Sequence, residues 1–335
     1  MEQVGSTFQF EPYGEPALNR ILRQRGSRNG FAYFDEGARE LFRWAGGPNG
    51  LLTWNPDAAQ DVRAAAERIG LIPLLTEFYP SSLSDLIAER HGTVEPDHTS
   101  GTWQRWFSKV TEGAFLIPDT GVILRRVLTT IILPRFSDPR LRLPFRLAIP
   151  RLVILELENL ANRSGDKTQV KKGECFMAFH EIARLKKTGA MLAAPLGLDD
   201  LSSFRSSSGS GMADAFLREE VRKFAKRIIS LPEASTRPRT IFHTRDMVSA
   251  LAANAEDLDA IYMAPATPEK LQIEGLNLSQ VATLVTELAV SRGMGSIRWH
   301  DGAATKIEGI WSGKTWLEYD QKQVRLCDPK TNALP

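Results

Sequence analysis

Acidic residues recur at one kind of position in this chain of 335 residues: directly after a short apolar run, or at the start of a helical pattern. Asp119 follows "FLIP", Glu156 follows "RLVIL", Asp214 opens the pattern "ADAFLREEVRKFAKRI", and Asp246 follows "TIFHT". A single acid at such a position is explained as a helix cap, because its side-chain oxygen accepts a free backbone N–H. Capping alone is a poor explanation for four of them, since one cap per helix end is enough.

A group of carboxylates without basic partners repels itself unless cations neutralise it. Mg²⁺ and Mn²⁺ prefer such hard oxygen ligands. An ion held in this way can activate water and offset the charge that develops on a phosphodiester. The pattern therefore predicts Mg²⁺ or Mn²⁺ as the cofactor, bound by Asp119, Glu156, Asp214 and Asp246.

The elements that must position these acids are short strands alternating with helices. The predicted strands are "AFLIP", "RLVIL", "AMLAAP", "TIFHT" and "DAIYMAP", with helical patterns between them. This alternation predicts an α/β fold with a central parallel sheet and helices on both faces. Because loops that leave the carboxyl ends of parallel strands converge at one edge of the sheet, the acids are expected to lie together there.

Four stretches, "LIPDTGVIL", "IPRLVILELENLAN", "GMADAF" and "IFHTRDMVSALA", resemble in this order the motifs of PIN-domain nucleases. The resemblance covers roughly residues 113–266. It implies a PIN-like fold and metal-dependent hydrolysis of phosphodiester bonds, with RNA expected more than DNA. It also implies an acidic quartet and two hydroxyl partners that orient it, which here are Asp119, Glu156, Asp214, Asp246, Thr120 and Thr244.

Two of these assignments have alternatives within the sequence. Glu158 lies two residues after Glu156 on the same helical pattern. A Ser/Gly-rich stretch precedes Asp214, which leaves Asp199 and Asp200 as alternative candidates for its role. His243, on the strand that leads to Asp246, is either close to the site or a core histidine.

The regions before and after the central region show different secondary-structure patterns. Residues 1–112 are predicted to be mostly helical, from "DEGARELFRWAG" with Asp35 as a cap, "NPDAAQDVRAAAERIG", and "PSSLSDLIAERHG". Residues 267–335 predict a small α+β module, with the helix "LNLSQVATLVTELAVSRG" followed by short alternating strands. The sequence thus predicts three parts: 1–112, 113–266 and 267–335.

A basic segment between Arg125 and Arg151 holds seven arginines and one acid, Asp138. Such a segment attracts phosphate if its arginines share a face. The alternative is a solvated loop whose arginines pair with acids elsewhere. The arginines predicted to bind substrate are Arg125, Arg126, Arg135, Arg140 and Arg142.

The composition of the chain indicates its expected compartment and its candidate partners. Its net charge is +2, and its two cysteines, Cys175 and Cys327, suggest no disulfide framework, so a reducing cytoplasm is expected. Its apolar runs are broken by charge well short of a membrane span. The candidate partners are single-stranded or structured RNA, a second copy of the chain, and a regulatory or inhibitory protein.

Two other functions compete with the nuclease hypothesis. One is a PIN-like module that binds nucleic acid without cutting it. The other is an α/β protein that binds a nucleotide or another small molecule, in which the acids are only caps. A glycine-rich fingerprint after the first strand would favour this last function, and "PDTGVIL" lacks one.

Overall fold

The computed structural model describes residues 14–26, 29–47, 50–81, 98–136, 143–162, 168–192, 210–229, 239–265, 271–312 and 321–327. The chain divides into two compact units. Unit 1 comprises residues 1–71, 164–177 and 269–335, and unit 2 comprises residues 72–163 and 178–268. Within the described ranges, no helix has the length and apolar character needed to cross a membrane.

The α-helices, in chain order, are α1 (Gly14–Ile21), α2 (Ala59–Arg68), α3 (Trp103–Thr111), α4 (Thr120–Leu124), α5 (Leu133–Arg135), α6 (Arg151–Asn162), α7 (Thr168–Lys187), α8 (Ser210–Ile229), α9 (Met247–Ala255) and α10 (Leu278–Arg292). The strands are β1 (Phe31–Asp35), β2 (Glu40–Trp44), β3 (Leu52–Trp54), β4 (Leu74–Tyr79), β5 (Phe115–Pro118), β6 (Arg146–Ile149), β7 (Met191–Leu192), β8 (Thr240–Thr244), β9 (Asp259–Pro265), β10 (Gln272–Ile273), β11 (Met294–Trp299), β12 (Ala304–Ser312) and β13 (Gln321–Cys327).

Unit 1 is built on a seven-stranded sheet in the order β10-β3-β2-β1-β11-β12-β13. Strand β1 pairs antiparallel with β11, so the first and last parts of the chain share one sheet. This differs from the predicted separation into a helical region 1–112 and a module 267–335. Residues 72–112 of the predicted helical region, which include β4 and α3, belong instead to unit 2.

The segment "DEGARELFRWAG", predicted as a helix, forms part of a β-hairpin between β1 and β2. Asp35 caps the turn rather than a helix, because its Oδ1 accepts the Arg39 N–H at 2.9 Å. Phe42 stacks on Tyr33 of the neighbouring strand. Burial of these rings against a paired strand overrides the local helical pattern, since strand preference follows cross-strand packing.

Two flanking helices are confirmed. Helix α2 lies in "NPDAAQDVRAAAERIG", preceded by a 3₁₀ turn in which the Asn55 side chain accepts the Asp57 N–H at 3.0 Å. Helix α10 starts with a capping box between Asn277 and Gln280 and ends at Gly293, whose φ is +90°. The third predicted helix, "PSSLSDLIAERHG", lies almost entirely in residues 82–97, outside the described ranges.

Unit 2 is built on a six-stranded sheet in the order β4-β9-β8-β5-β6-β7. Strands β5 to β9 pair in parallel, and β4 is antiparallel to β9 at one edge. The predicted α/β class with parallel strands is therefore confirmed. All four residues of β5 are buried, which explains its unbroken apolar run.

One predicted strand is wrong. "RLVIL" forms the first turns of helix α6, and the strand that precedes it is β6, with the sequence "RLAI". Both runs are short and apolar, so periodicity does not separate a buried strand from the buried face of a helix. Glu156 consequently lies in the second turn of α6 rather than directly at a strand end.

The amino-terminal ends of β8 and β9 are joined by a partly buried ion pair. Arg239 donates from Nε and Nη2 to Oδ2 of Asp259, at 2.9 and 2.7 Å. The other oxygen of Asp259 accepts the Ser81 N–H at 2.7 Å, which also ties the end of β4 to this pair.

We expect Asp259→Ala to lower the free energy of unfolding by about 2–4 kcal/mol, because it leaves the Arg239 guanidinium and the Ser81 N–H without their acceptor. Chemical denaturation measures this change. Glu274→Ala is the control, since Glu274 is an exposed acid and its loss should change stability by less than about 0.5 kcal/mol. Equal effects of the two variants would contradict the structural role of Asp259.

Candidate functional site

The candidate site lies where the strand order of the unit 2 sheet reverses. From β5 the chain continues to β6 on one side, whereas β8, the neighbour on the other side, comes much later in the sequence. Loops leaving β5 and β8 therefore turn away from each other and leave a crevice at the carboxyl ends of the strands, where ligands of open α/β sheets bind. Asp119 directly follows β5, and Asp246 lies two residues after the end of β8.

Asp119 is both a helix cap and a link between the two strands. Its Oδ1 accepts the Val122 N–H of α4 at 2.6 Å. Its Oδ2 accepts the hydroxyl of Thr244 and the N–H of Arg245, the latter at 3.2 Å. Its own N–H donates to the carbonyl of His243 at 2.8 Å. The capping explanation of Asp119 is thus correct but accounts for only one of its two oxygens.

Asp246 caps the next helix and shares a hydroxyl with Asp119. Its Oδ1 accepts the N–H groups of Val248 and Ser249 at 2.7 and 3.2 Å. Its own N–H donates to Oγ1 of Thr244 at 2.9 Å, while the Thr244 hydroxyl donates to Asp119. Thr244 is buried, and Asp246 itself is exposed.

Glu156 reaches the same region from helix α6. Its Oε2 accepts the hydroxyl of Thr120, the residue that follows Asp119. Glu156 is half-buried, whereas Glu158 is exposed two residues further along α6. The structure therefore places Glu156, and not Glu158, against the crevice.

Helix α6 is held by an acid that sequence reasoning missed. Glu220 of α8 is buried and accepts the N–H groups of Arg151 and Leu152 at 2.7 and 3.1 Å, which caps the start of α6. Burial raises its pKa. No local signal near residue 151 pointed to this cap, because the capping side chain comes from 69 residues away.

Asp214 contributes from the first turns of α8, where it is half-buried. Burial is the main cause that raises its pKa, and the negative charge of Asp246 raises it further. The positive charge of Arg218 acts in the opposite direction. Asp199 and Asp200, the alternatives to Asp214, lie in residues 193–209, outside the described ranges.

The charge of Asp214 also acts on the two other acids. Burial raises the pKa of Asp119; hydrogen bonds from Thr244, Val122 and Arg245 oppose the rise, and Asp214 adds to it. Burial likewise raises the pKa of Glu156, against the Thr120 hydrogen bond and with contributions from Asp214 and Asp119. Carboxylates from four different elements thus share one electrostatic environment.

Within the described part of the chain, none of the four acids forms an ion pair. Arg218, whose positive charge acts on Asp214, is itself paired with Glu256, with its Nε 3.1 Å from Oε1. The same part of the chain contains no group of three or more His, Cys, Asp or Glu side chains arranged closely enough to hold a metal ion. The structure therefore provides a set of oxygen donors without a closed coordination shell.

His243 belongs to the core. Its ring is fully buried, and burial together with the charge of Arg245 lowers its pKa to about 3. The imidazole is consequently neutral at physiological pH and contributes to the site through its backbone carbonyl, which accepts the Asp119 N–H.

The predicted substrate-binding arginines that the structure describes differ in exposure. Arg126 is buried, with its Nε 3.7 Å from Oε2 of Glu181, so its assignment as a substrate-binding residue is wrong. Arg125 and Arg135 are half-buried. Arg140 and Arg142 lie in residues 137–142, outside the described ranges.

Two other arginines of the basic segment lie at opposite ends of strand β6 in the unit 2 sheet. Arg146 is the first residue of β6, with its guanidinium 5.6 Å from the ring centroid of Phe115. It therefore lies at the amino-terminal ends of the strands, away from the acids. Arg151 is exposed at the first residue of α6, which starts at the carboxyl end of β6. Arg151 is therefore the arginine of this segment that the described structure leaves accessible at the edge of the candidate site.

Comparisons with known proteins add little. No protein-family model matches the chain, and no curated protein matches it. Among solved structures, the chain is similar to a domain of a functionally unknown protein from Methanocaldococcus jannaschii, at 18% identity over 47% of this chain and 96% of that chain. The TM-score of this match is 0.32.

We expect Asp214→Asn to stabilise the protein at pH 7–8, on the order of 0.5 kcal/mol, because it removes a carboxylate whose charge is penalised by burial and by repulsion from Asp246. An acid whose folded-state pKa is raised above its unfolded value destabilises the folded protein above that pKa. The penalty disappears as the pH falls through the folded pKa and the carboxyl takes up its proton. The gain in Asp214→Asn should therefore shrink as the pH is lowered.

Thermal denaturation over a series of pH values measures this gain, and NMR titration should show lower pKa values for Asp119 and Glu156 in the variant. Glu112→Gln, which neutralises an exposed acid of the same unit, is the control and should show no such trend. Unchanged pKa values of Asp119 and Glu156 in the variant would mean that Asp214 is not coupled to the other acids.

Proposed function

We propose that this protein is a metal-dependent nuclease of the PIN type that hydrolyses phosphodiester bonds, with RNA as the expected substrate. The observation that carries the proposal is the convergence of carboxylates from the ends of β5 and β8 and from helices α6 and α8 on one crevice. Three half-buried acids and the exposed Asp246 share one environment at an electrostatic cost, and such arrangements concentrate at functional sites. A purely structural role does not explain why four of them share one environment.

The order of the motifs along the chain supports the same proposal. Asp119 and Thr120 follow the first parallel strand, Glu156 lies near the start of a helix, Asp214 lies in the first turns of a later helix, and Thr244 and Asp246 flank the end of a late strand. These are the contexts that the resemblance to PIN-domain nucleases implies. The two hydroxyls contact the acids as orienting partners would.

The donor set suits Mg²⁺ or Mn²⁺, because it consists of carboxylate oxygens without thiolate or imidazole and without ion pairs in the described part of the chain. Asp119, Glu156, Asp214 and Asp246 would hold the ion, which requires their carboxyl groups to come closer together than they lie in the described structure. When bound, the ion would lower the pKa of a coordinated water and offset charge on the phosphate.

The protein's own side chains have separate tasks in this proposal. Thr244 keeps Oδ2 of Asp119 in place through its hydroxyl, and Thr120 does the same for Oε2 of Glu156. Burial raises the pKa of Glu156, as it does that of Asp119, and a carboxylate with a raised pKa can accept a proton from the attacking water. Arg151, exposed at the edge of the site, is the candidate contact for the substrate backbone.

A matched pair of variants tests the proposal. Glu156→Gln should lower the cleavage rate of a labelled RNA by at least about 100-fold, since a positioned acid or base contributes on the order of 10²–10⁴. Glu158→Gln, two residues away on the exposed side of α6, should cut at the wild-type rate. The assay uses RNA and DNA oligonucleotides side by side in Mg²⁺, Mn²⁺ and EDTA.

Metal binding is measured separately by thermal denaturation. Mn²⁺ should raise the melting temperature of the wild type and of Glu158→Gln, and should do so less for Glu156→Gln, because the ion binds the folded state only. Cleavage that persists in EDTA, or equal activity of the two variants, would overturn the proposal. Binding of RNA without cleavage under all conditions would favour the non-cutting module instead.

A further inference from the structure

Helix α9, which Asp246 caps, packs with its small residues inward and its large apolar residues outward. Ser249, Ala250 and Ala253 are buried. Met247, Val248 and Leu251 are 45%, 75% and 49% exposed. A surface helix normally buries its largest apolar side chains, so this arrangement is reversed.

The three exposed side chains form one patch. Met247 and Leu251 are four residues apart and Val248 and Leu251 are three apart, so all of them lie on one face of the helix. The helix Met247–Ala255 contains no charged residue. Single exposed apolar residues are ordinary, but contiguous ones mark a binding surface.

The patch is directly continuous with the acids. It starts at Met247, the residue after Asp246, and ends at Leu251, about 6 Å further along the helix axis at about 1.5 Å per residue. On the neighbouring strand, Tyr262 of β9 pairs in register with Thr244 and is half-exposed. Burial and the charge of Glu77 raise the pKa of Tyr262, and the charges of Arg245 and Asp246 also act on its hydroxyl.

The surface area of the patch indicates which kind of ligand it can bind. A stable protein–protein interface takes about 800 Å² from each partner, and three partly exposed side chains provide far less. A nucleotide matches better, because its phosphate is charged and its base has an apolar face. Bases stack on aromatic rings and pack on apolar side chains, without needing charge from the protein.

We propose that Met247, Val248 and Leu251, together with the ring of Tyr262, bind the unpaired base of the nucleotide whose phosphate lies at the acids. This inference rests on the proposed nuclease function and adds to it the residues that contact the base. The patch discriminates between substrates that carry a base at this position and those that lack one.

The test replaces the patch by polar residues in the triple variant Met247→Ser, Val248→Ser, Leu251→Ser of the full chain. The control is Leu271→Ser, Met294→Ser, which changes two exposed apolar residues of unit 1 with 38% and 41% exposure. Each protein is assayed on a single-stranded RNA and on the same strand with one abasic position at the cleavage site. Binding of both strands is measured in Ca²⁺ by fluorescence anisotropy.

We expect the patch variant to lose about tenfold in kcat/KM and in affinity for the intact strand, which is the lower range for one base contact. Its activity on the abasic strand should match the wild type. Tyr262→Leu should lose affinity for the intact strand in the same direction, while Tyr262→Phe should keep it, because the ring and not the hydroxyl stacks.

Wild-type discrimination between intact and abasic strands that persists in the patch variant would overturn this inference and leave the nuclease proposal standing. Light scattering on the same proteins tests whether the patch instead binds a second copy of the chain. A change of oligomeric state in the patch variant, with unchanged discrimination between the strands, would show such a contact and would also overturn this inference. If the wild type neither cuts nor binds either strand, the proposed function fails and this inference with it.

Discussion

The hydroxyl group of Thr244 holds together the two strand ends on which the candidate site is built. It donates to the carboxylate of Asp119, which follows β5, and accepts the N–H of Asp246, which follows β8. The Asp119 N–H returns to β8 through the carbonyl of His243. These bonds connect loops that leave adjacent strands in different directions, so the crevice between them keeps a defined width.

This connection brings like charges together. Burial and mutual repulsion raise the pKa of Asp119, Glu156 and Asp214, and hydrogen bonds from hydroxyl and backbone groups only partly oppose the rise. The arrangement persists because each acid is attached to a different rigid element. Glu220 strengthens this by capping α6 from α8, so the helices that carry Glu156 and Asp214 are tied to each other.

Capping and site chemistry are not alternatives in this fold. Asp119 and Asp246 each use one oxygen to cap a helix, and this fixes the orientation of the carboxylate. The same capping bond places the start of α9 beside the acids, with Met247 and Val248 exposed. The small buried residues of α9 allow the helix to pack closely on the sheet, and its large residues are left facing outward as a consequence.

The local sequence determined the α/β class of the central region, most of its strands, the capping position of Asp119, and the motif order. These features depend on short-range patterns: an unbroken apolar run for a strand buried on both faces, and a side-chain oxygen just before a helix. The same reasoning confused the helical "RLVIL" with a strand, because both are short apolar runs, and confused the hairpin around Asp35 with a helix.

Only the tertiary structure decided which residues meet across long separations. It joined the first and last parts of the chain in one sheet, selected Glu156 over Glu158 by burial, and paired Arg126 with Glu181 in the interior. It also showed that Glu220 caps a helix that starts 69 residues earlier. Such pairings depend on where strands and helices pack, and neither residue type nor spacing along the chain encodes that position locally.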